Sequence, residues 1–412
     1  MASIGVSGLK LRAREGVTAL ERAILRVSHL VHSTPELAYE EFASMQAIVD
    51  ALSEVPEARV VVGLGTLPTA FLAEAGDGPL VITLCAEYDA LPEIGHACGH
   101  NIIAASAFGA FAALAPMAGS LGITVRLLGT PAEESGGGKI DLLQQGFFDG
   151  SHAVMMVHPV HGASGPVVLR TRASTAYRVS FTGRSAHASG NPWLGVNALD
   201  AMTIALTSVG LSRQQLEPGQ QIHGVVTRAG TASNVIPELA EGEWMIRADT
   251  MESLQRLYPV FRRSFEAGAL ATGATLALAR SEHPYSAATP DLELSRMFLD
   301  NAVDEGVQFE FESDELGGSS DIANVSNFFP TIHPSIALGA DVPDIHTAPF
   351  AAVAGGPAGD AACISGALLL ALTAVDVATH PEVRARLLAA EKPDTSAAGR
   401  ELDIEGASHG GV

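Results

Sequence analysis

Apolar positions along the chain change period several times, and each change marks an element. Leu20, Ile24, Val27 and Val31 recur at helical spacing behind Thr18 and Glu21, which read as a capping box. Thr34-Pro35 reads as the N-cap and first position of a second helix, with Leu37, Phe42, Met45, Ile48 and Leu52 on its apolar side. Short strands are predicted at Arg59–Val62 and Ala70–Ala73. Three unbroken apolar runs, Leu80–Cys85, Ile123–Leu128 and Ala153–Val157, read as strands buried on both faces. Helical patterns at Ile102–Ala115 and Lys139–Gln145 separate them, so the sheet is predicted to be mostly parallel and covered by helices.

Near residue 168 the pattern shifts. Strand Thr175–Phe181, helix Gly195–Leu211, strands Ile222–Val226 and Gly242–Ala248, a helix Ser253–Phe265 that Pro259 should kink, and strand Thr275–Ala279 follow in turn. That βαββαβ order predicts a small ferredoxin-like α+β sandwich. The first pattern then resumes with helix Leu292–Glu305, a short strand Ile336–Leu338 and a long apolar helix Gly356–Ala374. The predicted fold is α/β, with a discontinuous domain over 1–167 and 284–390 and the α+β domain inserted at 168–283. Residues 391–412 are small and polar and read as a disordered tail.

Composition narrows the partners. The chain of 412 residues carries a net charge of −22 and only three lysines, Lys10, Lys139 and Lys392. Nucleic acid and anionic membranes need a basic surface, so neither is expected as a partner. Cys85, Cys98 and Cys363 make no disulfide framework, and Met1–Arg14 has no apolar signal core. A reducing, cytoplasmic setting is the expectation. The uncharged stretch Asn101–Val125 is interrupted by Pro116, Gly119 and Gly122; what remains helical is too short to span a bilayer.

Chemistry gathers where the predicted strands end. Glu87, Asp89, His96, Cys98 and His100 follow the first, Glu133 and Glu134 the second, and His158 ends the third. Open α/β sheets bind ligands beyond the carboxyl ends of their strands. A thiol and an imidazole either side of Gly99 can converge on one ion if the chain turns sharply there, and the positive end of the next helix would favour thiolate. Each feature also has a plain reading: a capped helix, a solvated Glu-Glu pair, a core histidine at 158. Position at successive strand ends favours metal. His346, in a loop after a later strand, completes a set of five with Cys98, His100, Glu134 and His158. Thiolate and imidazole suit zinc and other late first-row ions. Five ligands exceed the four of a closed structural zinc site, which points to two metals or an open position, and so to catalysis. Glu133, beside Glu134, is placed to act as general base in hydrolysis of an amide.

These motifs resemble the M20 family of metallopeptidases and amidohydrolases. The matches are Ser33-Thr-Pro-Glu-Leu37, Glu87-Tyr-Asp-Ala-Leu-Pro92, His96-Ala-Cys-Gly-His100, Pro131-Ala-Glu-Glu134, Gly183-Arg-Ser-Ala-His-Ala188, Ser233-Asn-Val-Ile-Pro237 and His346. Asn101 and Ile103 stand where many members of this branch have Asp and His, and Glu87 departs from their pattern too. Those departures resemble the aminobenzoyl-glutamate hydrolases and the dipeptidases similar to mammalian peptidase M20 domain-containing protein 2. The resemblance implies two divalent ions per subunit, zinc, manganese or similar, on Cys98, His100, Glu134, His158 and His346. It implies Glu133 as base, Asp89 behind a ligating histidine, and a lid and dimerisation role for the inserted domain. Through that domain His187 would serve the other subunit of a homodimer, and Asn234 and Arg247 would bind substrate. The substrate class is a small amide, an N-acyl amino acid or dipeptide; a dipeptidase preferring β-alanyl or basic residues is the alternative. A non-catalytic metal-binding subunit is a different class, against which the presence of Glu133 counts. A cysteine hydrolase would need one histidine, and this set has three.

Overall fold

The computed structural model describes residues 5–313 and 317–395. The chain divides into two compact units: one runs to Arg170 and resumes at Ala288, and the other is Thr171–Ala287.

The first unit is built on a six-stranded sheet in the order Arg59–Leu64, Leu67–Ala75, Ile123–Gly129, Leu80–Ala86, Ala153–Met155, Thr331–Ile332. The last four strands run parallel, and the first two add antiparallel at one edge. The expectation of a mostly parallel sheet holds for four of the six strands, from the middle of the sheet to its far edge. Side chains of one strand alternate between two apolar layers, as a two-sided sheet requires. Ile82 and Leu84 join the layer under the helices Val6–Ser33, His100–Leu114 and Pro357–Thr379, while Cys85 faces Leu142, Leu143, Ile322 and Val325 on the other side. Small residues let the three helices approach: a Cβ on Gly109 would lie 2.6 Å from Ile24 Cδ1 and 2.8 Å from the Ala367 methyl. The apolar windows in His100–Leu121 and Pro357–Thr379 are long enough to cross a membrane, but 89% and 72% of them are buried inside the molecule. They are core helices here.

Three local expectations need correcting. The first helix begins at Val6, well before the Thr18 capping box, and Thr18 bonds back to the Arg14 carbonyl instead. Thr34-Pro35 starts no helix; the second helix is Phe42–Leu52. The Ala153–Val157 run stops at Met155, and His158 opens a separate strand, His158–Val160, paired in parallel with Ser335–Ala337.

The second unit is a four-stranded antiparallel sheet in the order Thr275–Arg280, Ala173–Thr182, Leu239–Ala248, Gln221–Ala229. Helices Ala198–Ser212 and Met251–Thr272 pack on one face around Tyr177, Phe181, Trp244, Phe261 and Phe265. The second of these helices runs on through Pro259 as one element. The opposite sheet face carries Arg178, His223, Glu243, Met245 and Arg247, and no helix among the described residues of this unit covers it.

The tail expected from residue 391 lies, from 396 onward, outside the described residues.

Candidate active site

The strand Leu80–Ala86 delivers the chain to Glu87 and Asp89, and a loop closed by Leu91 and Gly95 turns it back. Gly99 then takes φ 77°, a left-handed conformation that glycine adopts without strain, and a Cβ there would lie 2.5 Å from Pro159 Cγ. This turn sets Cys98 and His100 side by side at the start of the His100–Leu114 helix. His96 is buried beside His32, with ring centres 6.1 Å apart, and stays out of the cluster.

Asp89 is the clasp behind the cluster. One of its oxygens accepts His100 Nδ1–H at 2.9 Å, and the other accepts the Glu134 backbone N–H at 2.9 Å. His158 donates Nδ1–H to the Pro159 carbonyl at 2.7 Å. Both histidines thereby turn Nε2 toward the cluster, the atom a metal ligand uses. Burial opposes charge on His100, but Asp89 outweighs it and raises the pKa of this ring well above its usual value, so a cation would bind there in place of the second proton. His158 Nε2 lies 3.4 Å from Cys98 Sγ. Burial, opposed by Glu87, brings His158 down to about 4, so its ring is neutral. His346 is carried in by its loop: its backbone N–H donates to the Ala97 carbonyl at 2.8 Å, and its Nε2 is 3.6 Å from Glu134 Oε2.

Donor atoms of Cys98, His100 and His158 lie within 4.8 Å of one another, and so do those of Cys98, Glu134 and His346. Cys98 is common to both triads. Three buried atoms of this cluster, Glu87 Oε2, His100 Nε2 and Glu134 Oε1, have no hydrogen-bond partner among the described residues. Buried polar atoms without partners are costly, and a cation among them would engage all three once the His100 ring gives up its Nε2 proton. The donor set of thiol, imidazoles and carboxylates fits divalent ions of the late first row. Burial and then Glu134 push the Cys98 thiol well above its usual range, against the pull of His100. The helix N-terminus by itself thus does not make the thiolate; a cation would.

Glu133 is buried, and its Oε2 is 3.9 Å from His100 Nε2. Burial, followed by Glu87, Glu134 and Asp321, pushes its carboxyl well above the usual range. Behind it lies a cluster that sequence reasoning missed. Lys139 is fully buried and pairs with Glu87 and with Asp321, the latter at 2.7 Å. Glu87, Glu133 and Asp321 themselves gather within 4.8 Å. The one signal in the sequence was that Lys139, among so few lysines, opens a helix rich in apolar residues.

In the second unit, His187 and Asn234 sit on adjoining loops joined at Ala188 N–H to the Asn234 carbonyl, 3.0 Å. His187 Nδ1 accepts the backbone N–H groups of Ser189 and Gly190 at 3.2 and 3.1 Å, which keeps the proton on Nε2. Arg247 lies elsewhere in this unit, on the open sheet face, where its Nε reaches His223 Nε2 at 3.3 Å.

Residues 169–267 match the family described as peptidase dimerisation domain. The chain is 38% identical over 389 residues to the Xaa-Arg dipeptidase of Mus musculus, covering 90% of each. It is 34% identical over 262 residues to a p-aminobenzoyl-glutamate hydrolase chain of Escherichia coli, covering 59% of this chain and 54% of that one. Its fold matches a dinuclear metal-binding peptidase of the M20 family from Bacillus subtilis, with TM-score 0.64, 22% identity, and coverage of 87% of this chain and 99% of that one. With a relative matched over nearly its full length and a set of metal-type donors gathered around Cys98, the chain belongs to the M20 family of metallopeptidases, metal-dependent hydrolases of amide bonds.

Proposed function

We propose that this chain is a two-metal dipeptidase that cleaves dipeptides with a basic C-terminal residue, working as a cytoplasmic homodimer. The observation that carries the two-metal reading is the pair of ligand triads sharing Cys98, next to Glu133. The substrate class is supported by similarity over 90% of the chain to a relative named Xaa-Arg dipeptidase.

In this reading His100 and His158 would hold one ion and Glu134 and His346 the other, with Cys98 available to both sets. Zinc suits the thiol and imidazole donors best, while the carboxylate of Glu134 also admits manganese. Bound ions supply Lewis acidity, which lowers the pKa of a water molecule and polarises the amide carbonyl. Glu133 is placed to take a proton from the attacking water on its carboxylate and hand it to the leaving amine, a transfer that would be worth roughly 10² to 10⁴ in rate. His187, protonated on Nε2, donates to the carbonyl oxygen in the site of the partner subunit. Asn234 assists there, and Arg247 binds the substrate carboxylate through its paired N–H groups.

The test is turnover of a panel of dipeptides and N-acyl amino acids by metal-reconstituted enzyme, with metal content measured by mass spectrometry. Two ions per chain and highest kcat/KM on dipeptides ending in arginine or lysine are expected. Preference for N-acyl amino acids would overturn the substrate class, and one ion per chain at full activity would overturn the two-metal reading.

A further inference from the structure

Two carboxylates on the segment leaving strand Leu80–Ala86 address opposite nitrogens of one imidazole. Asp89 Oδ1 accepts His100 Nδ1–H at 2.9 Å, while Glu87 Oε2 stands 3.5 Å from His100 Nε2. The first distance is a hydrogen bond; the second is too long for a good one. Glu87 is fully buried, and neither its Oε2 nor His100 Nε2 has a hydrogen-bond partner among the described residues. Two donors each about 2.1 Å from one ion lie roughly 3.0–3.5 Å apart at octahedral or tetrahedral angles. The gap between these two atoms is therefore that of neighbours on a shared cation.

The anchoring of Glu87 explains why one of its oxygens is left over. Lys139, fully buried, holds two carboxylates and holds them differently. Asp321 gives both oxygens to this residue: Oδ1 accepts from Nζ at 2.7 Å, and Oδ2 accepts the backbone N–H at 2.9 Å. Glu87 gives only Oε1, which pairs with Nζ. Its second oxygen is the one that faces His100. The root of the side chain is fixed as well, because the Ala86 carbonyl accepts both the N–H and the hydroxyl of Thr130, at 2.8 and 3.0 Å. A bare carboxylate oxygen in full burial is costly, and a cation on His100 removes that cost.

We propose that Glu87 is a further metal ligand, donating Oε2 to the ion held by His100, with Lys139 as the residue that positions it. This rests on the two-metal reading and adds a donor to it. The set of Cys98, His100 and His158 then reaches four donors, the number at which a zinc site is closed. The set of Cys98, Glu134 and His346 stays at three and keeps a position for water. The two ions are thereby unequal: the one on His100 is held more tightly, and the other has the exchangeable position.

Crystals of zinc-loaded wild-type protein, with the ions located by anomalous scattering, test the contact directly. Glu87 Oε2 is expected about 2.0–2.2 Å from the ion on His100. An ion on His100 with Glu87 outside bonding distance overturns the proposal and leaves the two-metal reading standing. No ion on His100 overturns that reading, and the proposal with it. In solution, competition with a chelator compares Glu87→Gln with Asp321→Asn, each checked for folding by circular dichroism. Both remove a carboxylate from Lys139, but only the first removes an oxygen from His100. The affinity lost for one ion should be at least about tenfold greater in Glu87→Gln, since removing a ligand costs more than altering a group behind one. A smaller difference overturns the role of Glu87, and if either variant fails to fold the wild-type crystals decide.

Discussion

Glu41 Oε1 accepts the backbone N–H of Ala132 at 2.9 Å, joining the segment before the second helix to the residue that precedes the Glu133–Glu134 pair. Ala132 sits at φ 61°, a conformation costing a residue with a Cβ roughly 1–2 kcal/mol. The same carboxyl also accepts Tyr39 N–H and the Thr69 hydroxyl, both at 2.9 Å. Glu41 thus holds the strained turn that aims the two adjacent carboxylates apart.

That clasp has a pH signature. Burial, followed by Asp89, raises the Glu41 carboxyl from 4.5 to about 7. A carboxyl that binds its proton more tightly in the folded chain adds stability as pH falls from 7 to 4.5, and costs stability above 7. The cost at alkaline pH is about 3 kcal/mol. In metal-free protein, Glu41→Gln should therefore raise the Tm at pH 8 and match wild type near pH 5, because its amide oxygen keeps the two backbone bonds and its NH2 can donate to the Thr69 hydroxyl instead of accepting from it. A Tm difference that does not change between pH 5 and 8 would sink the assignment.

Asp89 orients both His100 and the Glu134 backbone. Asp89→Asn should keep the fold by circular dichroism but weaken metal binding by about 10- to 100-fold, the usual loss when the group behind a ligating histidine is altered. Competition with a chelator of known affinity measures it, and undiminished affinity would show that the ligands need no such support.

Lys139 balances Glu87 and Asp321 in full burial. Lys139→Met leaves that charge uncompensated and should cost about 3–5 kcal/mol in urea unfolding. Combining it with Glu87→Gln and Asp321→Asn should return most of the loss. If the triple variant is no more stable than the single one, the ion cluster is not what Lys139 supports.

Glu133→Gln should abolish turnover while two ions remain bound, since it removes the base and no ligand. Mixed with His187→Ala, it should recover part of the wild-type rate in proven heterodimers, because one composite site then keeps both groups. Heterodimers with no activity would count against sharing of His187 between protomers.

How far the sequence carried varied with the range of the interaction. Cys98, His100, Glu134 and His158 were legible because each follows an apolar run, and an α/β sheet brings successive strand ends together. His346 was legible only as one member of a set, since its loop is tied to the site by a bond to Ala97, far away in the chain. Lys139, Glu87 and Asp321 were not, because a pairing across 182 residues leaves no periodicity. Glu41 was hidden for the same reason: its partners lie 28 and 91 residues away. At Thr18 and Thr34-Pro35, local capping signals lost to tertiary packing, which extended one helix back to Val6 and delayed the next to Phe42.

Four of the five expected ligands precede the inserted unit in the chain, and His346 follows it. The outer strand Thr331–Ile332 and the core helix Pro357–Thr379 come late as well. During synthesis the ribosome must release the whole inserted unit before the second triad can close. A nascent chain stalled before residue 346 holds Cys98, His100 and His158 but lacks the last histidine. Closure of the second triad is thereby the last of the donor set's contacts that the order of the chain allows, whereas the first triad is complete before the inserted unit begins.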